Sequence, residues 1–162
     1  MRNIIASLII FFSTISDIRS EQQSEYTEIK PYIMEKYDVD MLLYKKVLLV
    51  ANANSGPVFK ANDILAIIGI ESSWDPKAKS KHGAFGLTQI IPKYWKVDHK
   101  VETQVETTYK ILNEYYNELK DKNKTIIAYN CGLTNFKQGK CGKKYLNKFN
   151  RELKEITEND QV

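Results

Sequence analysis

Apolar side chains recur at helical spacing along most of this chain, and nowhere do they alternate with polar ones for long enough to predict a strand. Val105, Tyr109, Leu112, Tyr116 and Leu119 form one stripe over Val101 to Leu119, the clearest amphipathic helix in the sequence. Tyr145, Leu146, Phe149, Leu153 and Ile156 form a second, with Lys148, Arg151, Glu152, Lys154 and Glu155 expected as its solvated face. Met41, Leu42, Leu43, Val47, Leu48, Leu49 and Val50 are so dense that they predict a helix buried on much of its circumference. Asp38 or Asp40 can cap it, and Asn54-Ser55-Gly56-Pro57 stops it. Pro31 suits the first turn of a short helix running toward Tyr37. Asn62 or Asp63 can cap a very apolar helix, Ile64 to Ile70, that ends near Glu71. A short helix begins near Ile126 to Tyr129 and stops at Asn130 and Gly132. The pattern predicts a mostly α single domain, with residues 158–162 as a frayed tail.

Residues 74–100 break the pattern. Pro76, Gly83, Gly86 and Pro92 interrupt them, and at most one short helix, near Leu87 to Ile90, is expected there. A loop of that length in a compact domain is usually retained because it lines a binding site. The helix before it delivers one carboxylate, Glu71, to its lip. A carboxyl group emerging from so much apolar surface is poorly solvated, which raises its pKa and suits it to act as a general acid.

The N-terminus differs from the body. Arg2 precedes an uncharged apolar run, Ile4 to Phe12, followed by the small residues Ser13 to Ser16. The run is too short to span a bilayer and reads as a secretory signal peptide over residues 1–20, cleaved after Ser16 or Ser20 or retained as an anchor. The mature domain is then residues 21–157, exported to a periplasmic or extracellular location, with no stable membrane span after cleavage. Net charge is only +4, too small and scattered to argue for nucleic acid. Cys131 and Cys141 are the only cysteines and bracket a polar loop, Gly132 to Lys140. In an exported protein they most simply form one disulfide, contributing roughly 2–3 kcal/mol. His82 and His99 have no ligand spacing, so neither a metal nor another cofactor is expected.

Glu71-Ser72, Pro76, Ala78, Ser80, Gly83-Ala84, Gly86-Leu87 and Gln89 stand in the order and spacing E-S-x-x-x-P-x-A-x-S-x-x-G-A-x-G-L-M-Q. Ala128-Tyr129-Asn130-Cys131-Gly132 follows the pattern A-Y-N-x-G, and Tyr145 opens the last helix. In these three separated motifs the chain resembles the soluble lytic transglycosylases over about residues 35–150.

The resemblance implies a lysozyme-like fold, as in goose-type lysozyme, and peptidoglycan glycan strands as substrate. It implies cleavage at the β-1,4 bond between N-acetylmuramic acid and N-acetylglucosamine, with a 1,6-anhydromuramoyl end as product. Glu71 would serve as acid and then base, and the sugar's own hydroxyl would replace the second carboxylate of ordinary glycosidases. Ser80 would bond near Glu71 and the muramoyl acetamido group; Gly86 and Leu87 would shape the loop. Gln89, Tyr129, Asn130 and Tyr145 would face the substrate or Glu71. Asp75, the nearest other acid, reads as the start of a turn before Pro76.

Several positions depart from the family pattern. Thr88 replaces a cleft-lining Met, Tyr94 or Trp95 replaces a Thr, and Cys131 replaces a small residue. Gln104 and Thr108 replace the Asn and Gly of N-x-x-x-G, so that helix is expected to pack less closely. A small exported member of this kind resembles enzymes that open the wall for secretion, conjugation or phage machinery. Two other readings keep the substrate: a hydrolytic goose-type lysozyme, and a non-catalytic glycan-binding subunit of such an apparatus.

Overall fold

In the computed structural model, residues 31–159 are described and carry seven helices: α1 (Pro31–Tyr37), α2 (Met41–Asn54), α3 (Ala61–Ser72), α4 (Val101–Leu119), α5 (Lys122–Cys131), α6 (Leu133–Lys137) and α7 (Lys144–Glu158). The expected signal peptide lies outside the described residues, as do residues 160–162. No helix among the described residues is long and apolar enough to cross a membrane.

The apolar helix α3 is the centre of the domain. Ile64, Leu65, Ala66, Ile67 and Ile68 are all fully buried, because α2, α4 and α7 pack around it. Burial of a Leu or Ile side chain contributes roughly 1.5–3 kcal/mol, so this one helix supplies a large share of the core. α5 joins α4 and α7 on the far side. Asp63 is the third residue of α3, accepting from Lys60 N at 2.8 Å; Lys60 caps the helix, ahead of both expected caps. The same buried carboxylate pairs with Lys122 Nζ at 2.7 Å and ties the start of α5 to the start of α3.

The α4 boundaries are those of the apolar stripe, and Asp40 caps α2 by accepting from Leu42 N and Leu43 N. Other expectations need correction. α2 buries only the stripe Tyr44, Val47, Leu48 and Ala51; Leu42 and Leu49 are 76% and 67% exposed, because neighbours cover one side of it alone. α5 begins at Lys122 rather than near Ile126, since Asp121 caps it by accepting from Lys124 N. The polar loop after Cys131 contains the short helix α6, and α7 continues through Glu158. No helix forms at Leu87 to Ile90: Phe85 instead makes isolated antiparallel bridges to Lys79 and Ile90. Glu152, expected on the solvated face of α7, is 4% exposed.

Candidate active site

Glu71 lies in the last turn of α3, where the chain leaves the core abruptly. Ser73 and Trp74 both adopt left-handed backbone angles, φ 51° and 64°, an unusual pair for residues with a Cβ. Trp74 is buried against Tyr44, ring centroids 5.8 Å apart, and holds this turn behind Glu71. Gln89, at 50°, also has a positive φ, as do Asp38 and Lys120 outside the site. Such strain gathers where the surrounding fold over-determines a site.

A cleft of about 1010 Å³ opens in front of Glu71. One side is the 82–95 segment, the other α5 with the residues after it, and Ile111 and Tyr115 of α4 form its floor. Among the described lining residues Glu71 carries the only carboxylate. Burial pushes its pKa up to about 7, and two groups on α7 hold it from rising further: the Tyr145 hydroxyl and the positive charge of Lys148. Tyr145 donates to Glu71 Oε1 at 2.6 Å. Burial first, and then the charge of Glu71, hold the phenols of Tyr145 and Tyr129 above their ordinary pKa, so both remain donors.

The two tyrosines act in different directions. The Tyr129 ring lines the cleft, but its hydroxyl donates to the carbonyl of Thr88 at 2.8 Å rather than to Glu71. Gln89 and Asn130 also line the cleft. The Gln89 amide donates to the carbonyls of Ala78 and Gly86, at 3.2 and 2.9 Å, which leaves its own carbonyl as the group available to a ligand.

Three expected site residues are placed elsewhere. Ser80 Oγ accepts from His82 N and Ala84 N, fixing the turn at the loop's tip, and makes no hydrogen bond to Glu71. Leu87 is fully buried in the core. Gly86 sits beneath the cleft with φ 70°, where a Cβ would meet Gln104 Oε1 at 2.3 Å. Thr88 does not line the cleft either; it is fully buried, and its carbonyl accepts from the Tyr129 hydroxyl. Asp75 accepts from Lys77 N in an exposed turn.

On α4, Gln104 bridges the helix to the loop. Its side chain fills the space over Gly86, and its Oε1 accepts from Leu87 N at 2.7 Å. The larger residue replaces close helix contact with a buried hydrogen bond. Lys148 and Tyr115 were also absent from the expected site. Lys148 lies one helical turn from Tyr145, and Tyr115 one turn from Ile111, spacings that place each pair on one face. Tyr115 meets Trp95 with ring centroids 6.3 Å apart, and the neighbouring Tyr94 is 68% exposed. Cys131 and Cys141 are joined, with Cα atoms 6.2 Å apart, and Cys131 forms part of the cleft wall.

Neither the curated proteins nor the solved structures gave a match. The family model described as the transglycosylase SLT domain matches residues 49–152, a span that holds Glu71, the loop after it, Tyr129 and Tyr145. The helical fold is thus lysozyme-like, its activity is of the transglycosylase type on peptidoglycan, and the chain belongs to the transglycosylase SLT domain family.

Proposed function

We propose that the chain is an exported lytic transglycosylase that cuts the glycan strand between N-acetylmuramic acid and N-acetylglucosamine without consuming water. The observation that carries this reading is a single cleft carboxylate with its pKa near 7, hydrogen-bonded to a tyrosine that stays protonated. A group so poised holds a proton at neutral pH and can also take one back.

Glu71 gives its proton to the glycosidic oxygen as the bond from that oxygen to the muramoyl C1 breaks. The positive charge left at C1 is stabilised by the ring oxygen and the muramoyl acetamido group. The C6 hydroxyl oxygen of the same sugar then bonds to C1, and its proton passes to the Glu71 carboxylate. The products are a 1,6-anhydromuramoyl end and a free N-acetylglucosamine 4-hydroxyl, with Glu71 restored. The second carboxylate of ordinary glycosidases supplies a nucleophile or activates water; here Asp75, the nearest other acid in sequence, accepts from Lys77 N in its own exposed turn. Gln89, Asn130, Tyr129 and Trp95 lie where the sugars flanking the scissile bond would pass.

Mass spectrometry of purified sacculi digested by the mature protein tests the reading. Muropeptides ending in 1,6-anhydromuramic acid are expected. Free reducing ends as the sole product would replace it with hydrolysis of the goose-type lysozyme kind. Binding to sacculi without any product would leave a glycan-binding subunit.

A further inference from the structure

The carboxylate of Glu152 is buried on α7, and both its oxygens are claimed by α1. Tyr37 donates to Oε1 and Lys36 Nζ to Oε2, each at 2.7 Å. Lys36 also bonds Glu155 Oε2 at 2.7 Å, and Tyr32 donates to the same oxygen. Burial pulls the lysine's pKa down, but these two carboxylates outweigh it and keep Lys36 charged. The third party to the junction is Gly69 of α3. A Cβ there would lie 2.9 Å from the Tyr37 hydroxyl and 3.0 Å from Glu152 Oε1, so the glycine lets α1 and α7 meet directly over α3.

Gly69 stands two residues before Glu71. Glu152 stands seven residues after Tyr145, two turns along the same face of α7. α1 lies outside the residues matched by the family model, of which Glu152 is the last. We propose that α1 is a latch: Lys36 and Tyr37, acting through Glu152, are positioning residues that fix α7 against α3 and so hold Tyr145 on Glu71. The inference rests on the reading of Glu71 and Tyr145 as the reacting acid and its partner. Its physical basis is distance. A hydrogen bond of 2.6 Å weakens steeply with small displacement, and breaking the junction removes one of the restraints that hold α7 in register on α3. Removing Lys36 also leaves a buried carboxylate without its counter-charge, which drives Glu152 toward solvent.

The test uses the full chain with Lys36→Met, Tyr37→Phe and Gly69→Ala, and Lys154→Met as a control on the outer face of α7, where Lys154 pairs with exposed Glu158. Two quantities are followed: the Glu71 titration by carboxyl ¹³C NMR, and kcat and KM on purified peptidoglycan across pH. The charged and titratable groups facing Glu71 are Tyr145 and Lys148 from α7 and Tyr129 from α5. Losing the Tyr145 donor therefore moves the Glu71 midpoint upward, by about half a pH unit or more. The latch variants are expected to show that rise together with a several-fold loss in kcat and little change in KM; the control is expected to match wild type. Latch variants that stay folded with a wild-type Glu71 midpoint and wild-type kcat would overturn the proposal. If Lys36→Met does not fold, Tyr37→Phe keeps the ion pair and tests the same junction. Because the titration needs no turnover, it decides the latch even if the wild-type protein yields no anhydro product.

Discussion

Tyr145 donates its hydroxyl proton to Glu71 Oε1 at 2.6 Å, joining the first turn of α7 to the last turn of α3. This bond opposes burial. Burial disfavours the carboxylate and raises its pKa, while the phenol favours the carboxylate and restrains the rise to about 7. The balance leaves Glu71 able to lose and regain a proton at neutral pH.

Replacing Tyr145 with Phe removes the restraint but keeps the ring. The Glu71 pKa should rise, so the basic limb of the pH–rate profile moves to higher pH. A hydrogen bond to a charged group is worth roughly 1.5–3 kcal/mol, so kcat should fall on the order of tenfold or more. A profile of kcat/KM against pH checks both; an unmoved basic limb would show that Tyr145 does not tune the acid.

Glu71→Gln should abolish turnover, and its stability should reveal the strain of the buried charge. The folded pKa of about 7 lies above the ordinary value of 4.5. The stabilisation from the protonated group is therefore complete below pH 4.5 and is lost as pH climbs through about 7. Glutamine cannot ionise, so the variant should gain Tm relative to wild type at about pH 8 and not at about pH 4. Equal Tm differences at the two pH values would mean that Glu71 is solvated.

Helices whose burial is decided by their own spacing are legible in the chain. The stripe of Val105, Tyr109 and Leu112 is buried as its spacing predicts, and α4 has the boundaries of that stripe. α2 departs from its pattern because apolar density says how much surface prefers burial, whereas the number of neighbouring helices decides how much is buried. Leu42 and Leu49 found none. At the site, the motif located Glu71, Gln89 and Tyr129 beside one cleft. It could not show that Leu87 is core, that Ser80 is spent on a turn, or that Gln104 reaches the loop. Those roles depend on contacts between residues distant in sequence, such as Gln104 with Leu87, which no local spacing encodes. Glu152 was hidden for the same reason: its donors lie on α1, at the other end of the sequence.

Gly86→Ala should be among the most damaging single changes. Its φ of 70° disfavours any Cβ, and that Cβ would lie 2.3 Å from Gln104 Oε1. Strain of this kind costs about 1–3 kcal/mol for the backbone angle, with overpacking in addition. Gln104→Ala alone leaves Leu87 N without its acceptor, also at about 1–3 kcal/mol. Together the two should cost less than their sum, because the second removes the clash introduced by the first. Additive losses in a denaturant cycle would contradict this geometry.

Trp95 lines the cleft and rests near Tyr115, with Lys110 Nζ 6.0 Å from its ring centre. Apolar faces of sugar rings stack on such aromatic surfaces, so Trp95→Ala should weaken binding while leaving Glu71 and Tyr145 in place. KM for glycan fragments is expected to rise about tenfold, with kcat within about threefold. A loss confined to kcat would place Trp95 outside the binding surface.

The bond between Cys131 and Cys141 connects the end of α5 to the approach of α7. Tyr129 precedes the first cysteine by two residues, and Tyr145 follows the second by four. Leu133, Thr134 and Asn135, inside the closed loop, form part of the cleft wall. Replacing both cysteines with serine should cost roughly 2–3 kcal/mol through the entropy returned to the unfolded chain. Freeing the wall should also raise KM more than it lowers kcat, because Tyr145 is still buried and still held by the rest of α7. Reduction of the wild-type protein by dithiothreitol should reproduce both effects, and reoxidation should reverse them. A variant with lowered Tm but wild-type KM would limit the disulfide to stabilising the fold.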